Sequence, residues 1–226
     1  MKTIIISGGS DGLGKALAKH LTDAGNKVIV LAPNEEKVTT AAKEIGCAFR
    51  VCDVSKWAQV ETAVKSIISE YGDIDVLINN AGVTYASKIE EAVPEEIQHI
   101  FDVNVVGVLF LTKAVVPSMK KKSSGCIINI NSQGGIYTKA ERALYNGSKW
   151  AVTGITKVLQ AELAPSNIKV TGLYPGAMEQ RMKINDKRGP QNNSFAYQEM
   201  ADAVDFILSR GPNTSIPELG IKNINN

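Results

Sequence analysis

The chain alternates short β-branched segments with longer segments of helical periodicity, and this alternation constrains its fold more than any other feature. The short segments are mostly apolar and are bounded by Gly, Asn, Asp or Pro. Six of them are predicted strands: residues 3–7, 27–32, 47–54, 74–82, 125–132 and 168–176. Short, nearly continuous apolar runs of this kind are typical of strands buried on both faces.

The longer segments carry apolar residues at a spacing of 3.6, with Gly or Pro near their ends, which predicts helices. They span residues 14–25, 34–46, 55–72, 95–121, 143–165 and 195–210, and residues 214–222 suggest a seventh strand at an edge. Strands that alternate with helices through short turns require a parallel sheet covered on both faces. We therefore predict an α/β fold, a doubly wound parallel sheet of six to seven strands in three layers.

A single domain is expected over residues 1–226, because neither a Pro/Ser-rich linker nor an internal repeat divides the chain. One polar, irregular segment, residues 177–194, follows directly after the sixth strand. Ligands of open α/β sheets bind at the carboxyl ends of the strands, so this segment is predicted to be a short substrate lid.

Composition limits the classes of partner. A net charge of +2 is too small to indicate binding to nucleic acid or to an acidic membrane surface. No uninterrupted apolar run reaches the roughly 18 residues of a membrane span, and no signal peptide pattern is evident, so a cytoplasmic protein is expected. Three cysteines without C-x-x-C spacing and two histidines suggest neither a disulfide framework nor a metal site.

A glycine-rich loop lies between the first strand and the first helix. Gly8, Gly12 and Gly14 form a G-x-x-x-G-x-G pattern. Such a loop can turn tightly, bring the backbone close to a pyrophosphate and aim a helix N-terminus at its negative charge. A tight strand-to-helix connection without a ligand would also use glycines, so the loop alone does not decide between the two.

Polar residues also end the third and fourth predicted strands. Asp53 could accept a hydrogen bond from an adenine amino group, or it could cap the helix predicted to start near Ser55. The segment "NNAG", residues 79–82, places two asparagines where they can bond backbone groups or simply form a turn.

The segment "YNGSK" places Tyr145 and Lys149 four residues apart in a predicted helix. At this spacing both side chains lie on one face and can reach one ligand. The same spacing is common on solvated helices, so its meaning depends on the other motifs.

In order and spacing, these motifs resemble the short-chain dehydrogenase/reductase family of single-domain Rossmann-fold oxidoreductases. The matching segments are residues 7–14, 52–54, 79–82, 101–107, 127–132, 145–149 and 174–176. The resemblance implies NAD(P)-dependent interconversion of a carbonyl and a secondary alcohol on a small-molecule substrate. It also implies a homodimer or homotetramer, paired through helices near residues 95–119 and 144–164.

The resemblance assigns catalytic roles to four residues. Tyr145 would be the general acid/base, Lys149 its partner, Ser132 the group that orients the substrate, and Asn104 part of a water-linked proton relay. A tyrosine with a pKa near 10 exchanges protons poorly at neutral pH, and a nearby ammonium lowers that pKa by stabilising the phenolate. The presence of all four argues against a relative that only binds the cofactor.

The resemblance also implies a set of cofactor-binding residues, which includes the nicotinamide-ribose contacts of Tyr145 and Lys149. The others are Gly8, Ser10, Asp11, Gly12, Leu13, Gly14, Asn34, Asp53, Val54, Asn80, Ala81, Gly82, Pro175, Gly176 and Met178.

The choice between NADP and NAD rests on mixed signals. Ala32 stands where NAD-preferring members carry an acidic residue, which leaves room for a 2′-phosphate and weakly favours NADP. Against this, Pro33 replaces the arginine common in NADP users, and Asp11 stands where some carry a cation. Asn34 and Lys37 remain as the candidates to bind the phosphate.

Several alternatives remain open. Gln180 replaces the usual threonine after the "PG" turn, so a dinucleotide-binding regulator or scaffold is the alternative function. A sugar-nucleotide epimerase would need a separate substrate domain, for which the chain lacks length. The substrate could be a simple ketone, an acyl thioester ketone, a pterin side-chain ketone or a secondary alcohol. Small and apolar residues of the "YNGSK" helix could serve an interface or the core: Ala151, Val152, Gly154, Ile155 and Val158.

Overall fold

The computed structural model describes residues 1–178 and 196–224. Within them, seven parallel strands form one sheet in the order β3-β2-β1-β4-β5-β6-β7. The strands are β1 (Thr3–Ser7), β2 (Lys27–Ala32), β3 (Ala48–Val51), β4 (Val76–Asn79), β5 (Gly125–Ile130), β6 (Ile168–Pro175) and β7 (Glu218–Ile221). The predicted fold class is confirmed, and residues 214–222 do contain the seventh, edge strand.

Helices connect the strands and cover the sheet. They are α1 (Gly12–Asp23), α2 (Glu35–Ile45), α3 (Trp57–Tyr71), α4 (Pro94–Phe101), α5 (Gly107–Lys121), α6 (Ala143–Leu163) and α7 (Tyr197–Leu208). The predicted helix over 95–121 is interrupted by a π-helical turn, Asp102–Val106. One extra residue in a turn shifts the apolar pattern only locally, so the periodicity of the sequence does not reveal it.

Alternate residues of each strand face opposite layers. In β1, Ile4 and Ile6 belong to a core cluster that also contains buried residues of α1, α2 and α7. Ile5, between them, belongs to a second cluster with buried residues of α3 and α5. Burial on both faces explains why the strand sequence is apolar without alternation.

The sheet brings the predicted site residues to one edge. All of its strands are parallel, so the loops after β1, β3, β4, β5 and β6 leave from the same side. The chain runs outward from β1 to β3 and then returns to β4 on the other side of β1. This reversal creates the crevice in which ligands of doubly wound sheets bind. Only two residues of the predicted lid, Ala177 and Met178, lie among the described residues, and the rest of 177–194 lies outside them.

No uninterrupted apolar run in the sequence reaches the length of a membrane span, but one helical stretch passes the looser test of length and mean hydropathy for a segment able to cross a membrane. The helical stretch Pro94–Lys121 is long and apolar enough to do so. Core helices often pass the same test. Here Leu111, Val115 and Met119 of α5 are fully buried in the second core cluster, so their apolar character serves the core.

A core substitution tests this packing. Ile128, in the middle of β5, is 0% exposed, and Ile128→Ala is expected to lower the free energy of unfolding by about 2–5 kcal/mol, because the cavity cannot collapse fully. Ile89 is 63% exposed, so the same change there should alter stability by less than about 0.5 kcal/mol. Urea denaturation of both variants measures the difference, and equal effects would contradict this account of the core.

Candidate active site

The glycine loop folds closely against its own helix. Gly8 and Gly12 have positive φ values of 67° and 53°, and the Gly8 N–H donates to the Leu31 carbonyl at 2.8 Å. A Cβ atom on Gly14 would lie 2.2 Å from the Gly8 carbonyl oxygen and 2.4 Å from Asn80 Nδ2. Glycine is required here because any side chain would enter the loop's own backbone.

Asn80 joins the loop after β1 to the loop after β4, across the crevice. Its Nδ2 donates to the carbonyls of Ser7 at 2.9 Å and Gly8 at 3.2 Å. The Ser7 hydroxyl oxygen accepts the backbone N–H groups of Asn80 and Ala81, both at 3.0 Å. Asn79 behaves differently, because its buried Nδ2 donates to Asn129 Oδ1 at 2.8 Å within the sheet.

Three predicted cofactor residues also shape their own loops. Asp11 Oδ1 accepts the Gly12 N–H at 2.8 Å, and Asn34 Oδ1 accepts the Lys37 N–H at 2.9 Å at the start of α2. Asp53 Oδ1 accepts the Ser55 N–H and hydroxyl at 2.9 and 2.8 Å. Because α3 begins only at Trp57, Asp53 stabilises the turn and does not cap the helix. The second oxygen of each carboxylate makes no hydrogen bond to another described residue and can accept one from a ligand.

The remaining predicted cofactor residues differ in how far they are buried. The side chains of Leu13 and Val54 are buried in the two core clusters, so they can offer only backbone groups to a ligand. The half-buried residues of the loops at this edge are Ser10, Gly12, Ala81, Gly82, Gly176 and Met178. Pro175 ends β6, and the Gly176 N–H donates to the Ile221 carbonyl of β7 at 2.7 Å. Gln180 lies outside the described residues.

Tyr145 and Lys149 lie one turn apart on α6, as the sequence spacing predicts. The Lys149 Nζ lies 5.9 Å from the centroid of the Tyr145 ring. The same nitrogen donates to the Ile130 carbonyl at the end of β5, at 3.0 Å. Lys149 is only 5% exposed, and this burial lowers the pKa of its amine from about 10.5 to about 8.

Ser132 lies two residues beyond the end of β5, close to the turn of α6 that carries Tyr145. Its hydroxyl oxygen accepts the Gly134 N–H at 3.0 Å, which leaves the hydroxyl proton able to point at a substrate oxygen. A Cβ on Gly134 would lie 3.4 Å from both Ser132 Oγ and Tyr145 Cε1. The Ser132 side chain and the Tyr145 ring therefore both border the small space beside Gly134.

Asn104 is buried within the π-helical turn, and its amide binds other parts of the site. Its Oδ1 accepts the Val83 N–H at 2.8 Å, while its Nδ2 donates to the Val83 carbonyl at 2.9 Å and to Ser148 Oγ at 3.0 Å. Ser148 Oγ in turn donates to the Tyr145 carbonyl at 2.8 Å. This side chain therefore fixes the loop after β4 to the turn of α6 that carries Tyr145.

Sequence reasoning missed the partners that hold these groups. Ser148 lies within "YNGSK" and Ser7 opens the glycine-loop motif of residues 7–14, but the sequence assigns neither side chain a role of its own. Ser148 precedes Lys149 and Ser7 precedes Gly8, and this proximity to predicted site residues is the only sign of their importance in the sequence. Their partners lie 44 and 73 residues away along the chain, so local sequence could not identify them.

The arrangement fits a dinucleotide. The glycine loop presents backbone at the N-terminus of α1, and the space that a side chain at position 14 would occupy is already filled by Gly8 and Asn80. Such a cradle suits a pyrophosphate. Among the described residues, no three His, Cys, Asp or Glu side chains are grouped to hold a metal ion.

Comparison with known sequences matches residues 2–191 to the family described as short chain dehydrogenase. An uncharacterized oxidoreductase of Staphylococcus epidermidis is 31% identical over 223 residues, which cover 98% of this chain and 96% of that protein.

Two solved structures resemble the chain over nearly its whole length. One is an alcohol dehydrogenase from the archaeon Thermococcus sibiricus, complexed with 5-hydroxy-NADP. It has a TM-score of 0.91 and 27% identity, covering 100% of this chain and 98% of that one. The other is a 3-ketoacyl-(acyl-carrier-protein) reductase from Brucella melitensis, complexed with NADH. Its TM-score is 0.91 at 30% identity, covering 98% of this chain and 96% of that one.

The buried amine makes a stability prediction. Below pH 8 the folded protein holds a desolvated ammonium, whereas an unfolded lysine stays charged up to about pH 10.5, so wild-type stability should rise between these values. Burying the charged amine lowers the free energy of unfolding at pH 7 by up to about 3 kcal/mol, and Lys149→Met removes this penalty. The variant also loses the hydrogen bond to the Ile130 carbonyl, which offsets part of the gain. We expect a variant more stable than wild type at pH 7, with a gap that narrows towards pH 10.

Chemical denaturation at both pH values measures this effect, with exposed Lys120→Met as the control for removing one charge. A Lys149→Met protein with the same stability difference from wild type at both pH values would show that burial does not depress this pKa.

Proposed function

Because this chain belongs to the short-chain dehydrogenase family and is an oxidoreductase, we propose that it interconverts a carbonyl and a secondary alcohol, with NADP or NAD as hydride carrier. The observation that carries the proposal is the meeting of Ser132, Tyr145 and Lys149 at the end of β5. They lie at the same sheet edge as the glycine cradle, so a substrate and a nicotinamide can share one crevice.

The proposed chemistry assigns one task to each side chain. When bound, the nicotinamide supplies a hydride to the carbonyl carbon in reduction and takes it back in oxidation. The carbonyl oxygen then carries negative charge and takes the proton of the Tyr145 hydroxyl. The Lys149 ammonium stabilises the resulting phenolate. The Ser132 hydroxyl donates to the same substrate oxygen and orients it for attack.

Asn104 has two roles in this proposal. Its amide holds the loop at Val83 and the α6 turn at Ser148, which keeps Tyr145 and Lys149 in place. The water-linked proton relay that the sequence suggested remains part of the proposal, as the route by which Tyr145 recovers its proton from solvent.

The cofactor site is proposed along the carboxyl edge of the sheet. Residues 8–14 would hold the pyrophosphate, the second carboxylate oxygen of Asp53 would accept the adenine amino group, and the backbone of residues 175–178 would face the nicotinamide amide. The two solved relatives are complexes, one with 5-hydroxy-NADP and the other with NADH. We propose a weak preference for NADP here, because β2 ends in buried Ala32 without a carboxylate and Lys37 is exposed nearby.

The dinucleotide-binding regulator is the weaker hypothesis. Burying the Lys149 amine costs folding free energy. A contact with the nicotinamide ribose would give that amine a use in binding alone, but only proton transfer also gives a use to the Tyr145 phenol beside it. The catalytic arrangement explains that cost. A cofactor titration combined with a panel of carbonyl substrates, followed by nicotinamide absorbance, separates the two.

Self-association is proposed through α4, α5 and α6. Val152 is buried, but Trp150, Gly154 and Val158 are exposed and form a stripe at intervals of four residues along α6. Exposed Ile97 and Leu109 add apolar surface on α4 and α5. Such surface suits a homodimer or a homotetramer, which sedimentation velocity can distinguish. We also propose a cytoplasmic location.

Removing the proposed proton donor tests the mechanism. Tyr145→Phe is expected to lower kcat by about 10²- to 10⁴-fold, because the substrate oxygen loses its acid, while binding of the dinucleotide changes little. Tyr71→Phe, on α3, is the control that removes a phenol elsewhere. Initial rates and cofactor fluorescence titration measure the two effects. Full turnover by Tyr145→Phe on a demonstrated substrate would contradict the mechanism.

The cofactor preference can be tested at α2. If Lys37 contacts a 2′-phosphate, Lys37→Gln should raise KM for NADP about tenfold, which corresponds to one exposed charge-assisted contact, and leave KM for NAD unchanged. Lys43→Gln, in the last turn of the same helix, controls for net charge. If KM rises equally for NADP and NAD, Lys37 does not contact the 2′-phosphate.

A further inference from the structure

The turn that carries Ser132 is held on α6 by a buried side chain that the proposed chemistry does not use. Thr153 lies one helical turn beyond Lys149 on the same face of α6. Its Oγ1 accepts a hydrogen bond from Asn131 Nδ2 at 2.8 Å and donates to the Gly135 carbonyl at 2.9 Å. Asn131 precedes Ser132 and Gly135 follows it by three residues, so one hydroxyl binds the turn on both sides of the serine.

Packing leaves this turn little freedom. A Cβ on Gly135 would lie 2.9 Å from both the Lys149 carbonyl and Thr153 Oγ1, and 2.7 Å from Asn131 Oδ1. The backbone N–H of Asn131 also donates to the Leu173 carbonyl of β6 at 2.7 Å. The turn thus lies directly on the segment of α6 that contains Lys149, with no room for a side chain between them.

We propose that Thr153, acting with Asn131, is a positioning residue that sets where the Ser132 hydroxyl lies relative to Tyr145 and Lys149. This inference rests on the proposed function. Loss of the Thr153 hydroxyl would leave the Asn131 amide and the Gly135 carbonyl buried without that partner, so the turn would move to satisfy them. A shift of about 1 Å in a reacting group can cost about 100-fold in rate.

The chain offers a matched control on the same helix. Thr156 is also buried, and its Oγ1 accepts from Asn129 Nδ2 at 2.9 Å and donates to the Val152 carbonyl at 2.7 Å. Asn129 lies within β5, two residues before Asn131 and away from the turn. Thr153→Val and Thr156→Val therefore each remove a buried hydroxyl that bonds an asparagine of the β5 segment. Only Thr153→Val removes hydrogen bonds to the turn that contains Ser132.

The test compares these variants by kcat, KM and thermal unfolding on one carbonyl substrate. Both valine variants should lose stability, because each leaves a buried amide without its threonine partner. The loss should be somewhat larger for Thr153→Val, which also removes the partner of the Gly135 carbonyl. Thr153→Val should lower kcat about 10- to 100-fold and leave KM for the cofactor unchanged, as for a displaced substrate-orienting group. Thr156→Val should stay within about twofold of wild type, and Thr153→Ser should recover most of the activity. Equal kcat values for the two valine variants would overturn the proposal.

A double-mutant cycle separates positioning from general damage. In a Ser132→Ala background there is no hydroxyl to position, so adding Thr153→Val should lower kcat by no more than about twofold. A further loss as large as in the wild-type background would refute the inference. If Thr153→Val does not fold, Asn131→Ala removes the same bond from the other side and should show the same dependence on Ser132.

The outcomes also distinguish this inference from the function on which it rests. Full activity in both Tyr145→Phe and Ser132→Ala would remove the proposed function itself. If Tyr145→Phe and Ser132→Ala lose activity but Thr153→Val and Thr156→Val have equal kcat values, the proposed function is supported. Only the positioning role of Thr153 is then contradicted.

Discussion

The contact between the buried Lys149 ammonium and the Ile130 carbonyl holds the site together. It fixes α6 against the end of β5 at the point where the chain leaves the sheet towards Ser132. Burial disfavours the charged amine and lowers its pKa to about 8, so the fold maintains this contact at a cost in stability. Tyr145 lies one turn before Lys149 on the same helix, and Ser132 lies two residues beyond Ile130, so this contact joins the two segments that carry them.

The surrounding polar groups extend this arrangement into the sheet. Along β5, Ile128 and Ile130 face the first core cluster, whereas Ile127 lies in the second. Asn129 and Asn131 continue the face of Ile127 and bond to threonines of α6. One face of the strand therefore changes from apolar to hydrogen-bonded as it approaches its carboxyl end, where the proposed site lies. Buried amides with defined partners specify one docking of helix on strand, which apolar contacts alone would not.

Much of this could be predicted from sequence. Strand and helix order followed from periodicity, and the Tyr145–Lys149 pair from i,i+4 spacing. Three features of the structure could not be predicted from the sequence. The π-helical turn around Asn104 adds one residue without breaking the apolar pattern, the role of Asp53 depended on where α3 begins, and the bond from Asn79 to Asn129 joins residues 50 apart along the chain. Each depends on backbone geometry or on a distant partner that local sequence does not contain.

By itself, the sequence determined the alternation of strands and helices, the glycines that the first turn requires and the residue types available for proton transfer. These follow from local rules, because backbone dihedrals, side-chain period and intrinsic chemistry are properties of a residue and its near neighbours. Only the tertiary structure decided which of those groups meet. It placed the Ser132 turn against Thr153, assigned the Asn104 amide to Val83 and Ser148, and buried Lys149. Proximity across the sheet depends on the packing of the whole chain, to which every strand and helix contributes.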